Sequence, residues 1–190
     1  MLLLCIVKVK SMNNNRILCV DPSFTPGWVV LEFIEDTKQL SILAHGTSKF
    51  EKEKNPYFKL TELMTFICKE YEVTHYIYES QFFKSMYQIL GACLGGIKEG
   101  ILLLNKTSLP KETLELKIVN SKHFNYDYRQ IRKILFNDIN VDKLTTKKIL
   151  SKIFSIEDWT LDETDALALG LAYIRQKYNL ILDNEVFSCY

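Results

Sequence analysis

Arg16-Ile17-Leu18-Cys19-Val20-Asp21-Pro22-Ser23-Phe24-Thr25-Pro26-Gly27-Trp28 is the stretch that decides the fold. Ile17 to Val20 read as a buried strand, which Asp21 closes. Two prolines and a glycine then force a turn. Residues 28–34 read as a second strand and 40–46 as a third, separated by the polar turn Glu35-Asp36-Thr37-Lys38. Three strands on short connections predict an antiparallel meander. The acid at the end of the first strand carries special weight, because open α/β sheets place their sites at strand ends.

Two more acidic signals lie downstream. Glu79 closes the apolar run Tyr76-Ile77-Tyr78, and Asp162 and Asp165 open Ala166-Leu167-Ala168-Leu169-Gly170-Leu171-Ala172-Tyr173. Residues three apart on a helix share a face. Between these signals, residues 56–71 have helical spacing in Phe58, Leu60, Leu63, Met64 and Ile67, and residues 73–78 read as a fourth strand. Phe83, Met86, Leu90, Cys93 and Ile97 predict a long helix over 82–104. Residues 114–119 read as a fifth strand, 128–136 and 145–154 as short helices, and 162–178 as the last helix. That helix has an acidic first turn and a capping-box-like Asp162-x-x-Asp165. The order is βββαβαβ followed by helices. It predicts an α/β protein with a mixed five-stranded sheet, three antiparallel strands then two parallel, flanked by helices.

Two strand ends and a helix start can bring four carboxylates together. Four carboxylates repel one another unless something positive sits among them. Hard divalent metal is the usual answer, and Mg²⁺ takes oxygen ligands together with water and phosphate. The chemistry expected is metal-dependent phosphodiester hydrolysis. The bland readings are an Asx turn at Asp21-Pro22 and helix capping by Asp162 and Asp165. Neither explains the joint pattern.

With 190 residues, 47% of them hydrophobic and 25% charged, the chain is long enough for one domain with its own core and too apolar to be disordered. Residues 16–190 are expected to form that domain, and 1–15 an N-terminal extension or an extra strand. Met12 is a second candidate start. Five scattered cysteines without C-x-x-C spacing argue against a zinc site or a disulfide framework. They suit a reducing intracellular compartment: cytoplasm or nucleoid, an organelle, or a virus-infected cell. His45, His75 and His123 are isolated and read as surface or core residues. No apolar run reaches the ~18 residues a membrane span needs.

The net charge of +1 conceals a division. Between Lys106 and Lys152 there are eleven lysines and arginines against five acids, so this segment is basic and the remainder acidic. A basic segment beside an acidic site suits a polyanion held for hydrolysis. A lysine-solvated helix surface is the alternative reading.

Three motifs resemble those of RuvC-type Holliday-junction resolvases, a branch of the RNase H-like fold. They are Ile17-Leu18-Cys19-Val20-Asp21-Pro22-Ser23 with Gly27-Trp28, Tyr78-Glu79-Ser80-Gln81-Phe82, and Leu161-Asp162-Glu163-Thr164-Asp165-Ala166-Leu167-Ala168. They occur in the order of that family. The resemblance implies that Asp21, Glu79, Asp162 and Asp165 are metal-binding catalytic acids, served by two Mg²⁺ ions with Mn²⁺ as substitute. It implies that Phe82 stacks near the branch point of the junction. Lys147, or Lys148 beside it, matches a basic residue near the scissile phosphate. Lys84, Lys122 and Arg129 are further expected DNA contacts. The chain departs from the family in Ser23, where many members have glycine, and in a turn one residue shorter. A homodimer through the 82–104 helix is implied too, and Gly91, Ala92, Gly95, Gly96 and Gly100 give that helix a small-residue side. A nuclease for RNA–DNA hybrids or forked DNA, or a junction-binding module that no longer cleaves, would share much of this pattern. An actin-like or sugar-kinase fold would need two domains and more glycine-rich phosphate loops than seven glycines provide.

Overall fold

In the computed structural model, residues 14–50, 52–79, 87–105 and 128–179 are described. The meander predicted from the first apolar runs is present: β1 (Asn14–Asp21), β2 (Gly27–Ile34) and β3 (Gln39–Thr47) are antiparallel neighbours. Helix α1 (Pro56–Glu70) then leads to β4 (His75–Tyr78), which pairs parallel with β1. The sheet order is β3-β2-β1-β4. Four helices complete the described chain: α2 (Tyr87–Asn105), α3 (Tyr128–Phe136), α4 (Lys143–Phe154) and α5 (Leu161–Tyr178). The predicted fifth strand at 114–119 and the first residues of the predicted 82–104 helix lie outside the described residues. Among the described residues no helix is long and apolar enough to cross a membrane.

β1 is central, so both of its faces are buried, as its unbroken apolar run requires. Ile17 and Cys19 face one way and pack with Val29, Leu31 and Phe33 against α3, α4 and α5. Leu18 and Val20 face the other way and pack with Tyr76 and Tyr78 against α1 and α2. The result is an α/β/α sandwich. Helix α5 is apolar nearly all round, with Glu163 to Ile174 buried throughout, which marks a helix enclosed by its surroundings. Gly170 lets it lie directly on β1: a Cβ there would come within 2.5 Å of the Cys19 Sγ and 2.7 Å of a Leu31 methyl.

The small-residue side of α2 divides into two. Gly96 and Gly100 face α1, where a Cβ on Gly96 would overlap the Thr61 carbonyl oxygen and one on Gly100 would lie 2.6 Å from the Cys68 Cβ. The Thr61 and Thr65 hydroxyls donate across this seam to the carbonyls of Ala92 and Gly96, at 3.1 and 3.0 Å. Gly91 and Gly95 instead have open space beyond them. Gly96→Ala should therefore cost about 1–3 kcal/mol through overpacking, while Gly95→Ala, on the same helix, should be neutral or stabilise by up to ~1 kcal/mol. Thermal melts of the two variants check this; equal losses would place both glycines in a packed seam.

Candidate active site

Asp21 is the last residue of β1 and Glu79 the first after β4. Because these strands are parallel, with Val20 in register with Tyr78, the two acids emerge side by side. The Glu79 amide still donates to the Val20 carbonyl at 3.2 Å, which extends the pairing to the site itself.

Asp162 and Asp165 reach the same sheet end through a close approach at Gly27. This glycine is the register partner of Asp21. A Cβ on it would overlap the Asp162 carbonyl and lie 2.7 Å from the Glu163 amide nitrogen. Only a residue without a side chain lets the start of β2 touch the first turn of α5, and this contact holds the Asp162 turn beside Asp21.

The first turn of α5 is capped, though not by the acids expected. The box is Thr160 with Glu163: the Thr160 hydroxyl accepts from the Glu163 amide at 3.2 Å, and the Glu163 carboxylate accepts from the Thr160 amide at 2.7 Å. This corrects the reading of Asp162-x-x-Asp165 as the cap. The signal was present as Thr160-Leu161-Asp162-Glu163, the S/T-x-x-E pattern. The other Glu163 oxygen lies 2.8 Å from His45 Nδ1, and the His45 ring stacks on Trp159 with centroids 4.0 Å apart. His45 thus ties β3 to the start of α5. With Glu163 doing the capping, Asp162 and Asp165 are left for other work.

Asp165 is buried and has a cation on each carboxylate oxygen. The Arg132 guanidinium donates to Oδ1 at 2.8 Å, and the Lys143 ammonium lies 2.5 Å from Oδ2. Neither cation was singled out from the sequence for the site. Arg132 sits on the apolar face of α3, between Ile131 and Leu135 in the buried set. Lys143 is the first residue of α4, directly after the N-cap Asp142. A lysine there opposes the helix dipole, so its placement is explained by the carboxylates it faces.

The electrostatics are those of crowded, buried acids. Burial pushes Asp21 up to about 6; Lys143 opposes the shift, and Asp165 and Asp162 reinforce it. Burial pushes Glu79 up to about 8, again with Asp21 and Asp165 reinforcing and Lys143 and Arg132 opposing. Burial and the neighbouring carboxylates thus both favour the protonated form of Glu79. Asp162 is also raised by burial. Partial burial works against the Lys143 ammonium, but Asp165, Asp21 and Glu79 together outweigh it and hold its pKa above the usual lysine value.

Among the described residues no three acidic, histidine or cysteine side chains converge closely enough to hold one ion. The donor set nevertheless fits a hard divalent cation. It consists of carboxylate oxygens alone, and the two acids at the strand ends are under-compensated enough that burial raises both. Protein cations stand where a metal would relieve the repulsion.

The remaining expected contacts are dispersed. Arg129 is exposed at the start of α3, its Nε donating to the Tyr128 hydroxyl at 3.0 Å. Lys147 is one turn beyond Lys143 on α4 and half-buried; Lys148 is exposed and helps depress the Asp142 pKa. Phe82, Lys84 and Lys122 lie outside the described residues.

The raised pKa values have a stability consequence with a definite sign. A carboxyl raised by folding stabilises the fold while protonated, and that contribution is lost as pH rises through the folded pKa. For Asp21 and Glu79 the window runs from about pH 4 to about pH 8. In chelator, the double variant Asp21→Asn, Glu79→Gln should gain on wild type by roughly 1–3 kcal/mol between pH 5 and pH 8.5. A difference in melting temperature that does not grow with pH would contradict the arrangement.

No family model matches the chain, and no curated protein matches it. Solved structures do. Thermus thermophilus RuvC in complex with a Holliday junction substrate is similar at a TM-score of 0.62 and 15% identity, covering 85% of this chain and 96% of that one. Another Thermus thermophilus RuvC structure is similar at a TM-score of 0.56 and 16% identity, covering 84% and 95%. The chain has the fold of these RuvC structures.

Proposed function

We propose that this chain is a divalent-metal-dependent endonuclease that resolves four-way DNA junctions, a crossover junction endodeoxyribonuclease in reaction class. The observation that supports the reading is that Asp21 and Glu79 emerge side by side at one sheet end, which the first turn of α5 also approaches, with Arg132 and Lys143 paired to its Asp165. The likeness to a RuvC solved with a junction supports branched DNA as the substrate.

Two Mg²⁺ ions, replaceable by Mn²⁺, would activate the attacking water and stabilise the leaving oxygen. Asp21, at the end of the central strand, would hold both; Glu79 would serve one side, and Asp162 with Asp165 the other. Arg132 keeps the Asp165 carboxylate oriented from within the core. Gly27 and the Thr160–Glu163–His45 set hold the α5 turn in place. The basic α3–α4 region would carry the DNA backbone, with Lys147 or Lys148 toward the phosphate. Phe82, Lys84, Lys122 and Arg129 are the further DNA contacts of the proposal. The open face at Gly91 and Gly95 would serve a two-fold dimer, which suits a substrate that needs two symmetric cuts.

A labelled four-way junction compared with duplex, fork and RNA–DNA hybrid in Mg²⁺ tests the substrate. Junction cleavage should dominate, and Asp21→Asn should reduce it more than about a hundredfold while junction binding is retained. Preferred hybrid or fork cleavage would favour the nuclease alternative. Junction binding without cleavage by wild type would favour the binding-module alternative.

A further inference from the structure

Asp165 carries two counter-ions that differ in their freedom to leave. Arg132 is 1% exposed, and its departure would strand a buried charge. Lys143 is 52% exposed, on a flexible stem at the very start of α4. Its ammonium faces Asp165 first and also feels Asp21 and Glu79. While it stays there, it occupies an Asp165 carboxylate oxygen that metal ligation would use.

We propose that Lys143 is a displaceable counter-ion: its ammonium neutralises the carboxylate cluster until a divalent cation takes that place, and metal loading turns it outward. This rests on the metal-dependent reading above. A divalent cation at Asp165 would set further positive charge beside the ammonium, so metal and Lys143 compete electrostatically for the carboxylate. The flexible four-carbon stem gives the ammonium a route into solvent that the Arg132 fork lacks. Once released, the charge remains on the same face of α4 as Lys147, one turn away. There it adds to the basic surface offered to a polyanion, so metal and DNA would assist each other's binding through one side chain.

The test is Mn²⁺ binding by calorimetry, on the full chain without DNA. Lys143→Met keeps the apolar stem and removes the charge. It should bind Mn²⁺ about tenfold more tightly than wild type, which is about 1.4 kcal/mol. A second readout needs no variant. The rate of Lys143 acylation, followed by mass spectrometry with Lys148 as internal reference, should rise several-fold when the wild-type protein is saturated with Mn²⁺. Unchanged or weaker Mn²⁺ binding by Lys143→Met, with acylation of Lys143 indifferent to metal, would overturn the exchange and leave the metal reading standing. Failure of both proteins to bind Mn²⁺ would overturn the exchange together with the metal reading.

Discussion

Like charges cannot be buried together without compensation, and this constraint organises the structure around one end of the sheet. Asp21 and Glu79 are driven side by side by the parallel pairing of β1 with β4. α5 delivers Asp165 to the same place, buried. The protein responds in two ways. Burial raises the Glu79 pKa and so favours its neutral form, and Arg132 and Lys143 sit on Asp165. Both responses are partial, and under the proposed function a divalent cation would reverse both: Glu79 would ionise and the lysine would swing away.

The backbone supporting the site is specified more rigidly than the charges within it. Gly27 allows the start of β2 to touch the first turn of α5. Thr160 and Glu163 finish that turn, and His45, stacked on Trp159, secures it from the edge strand. Gly170 sets α5 down on β1. These contacts are short and steric, so they define where Asp162 and Asp165 start. The lysine at the head of α4, half-exposed on a flexible stem, is the adjustable part.

Much of this frame was legible in the amino-acid order. The apolar runs ending in Asp21 and Glu79, the two-proline turn and the all-apolar α5 are local patterns, and local patterns map directly onto strand, turn and buried helix. Helix α3 was read with the bounds it has in the structure, Tyr128–Phe136. The cap of α5 was local too but was assigned to the wrong acid, because Asp162 and Asp165 imitate the spacing that Thr160 and Glu163 use. Lys143 and Arg132 were not legible as site residues. Their partner lies 22 and 33 positions away, and no periodicity links a lysine at a helix start, or an arginine on an apolar face, to an aspartate on another helix. The small residues of α2 formed one stripe in the sequence, yet they serve two surfaces, since only Gly96 and Gly100 meet α1.

The central claim is that the four carboxylates form a metal centre. Anomalous diffraction from crystals soaked in Mn²⁺ tests it most directly. The expected result is Mn²⁺ density ligated by Asp21 and by acids on either side of it, with the Lys143 ammonium no longer on Asp165. Crystals holding Mn²⁺ only at other sites, with Asp165 still paired to both Arg132 and Lys143, would contradict the account.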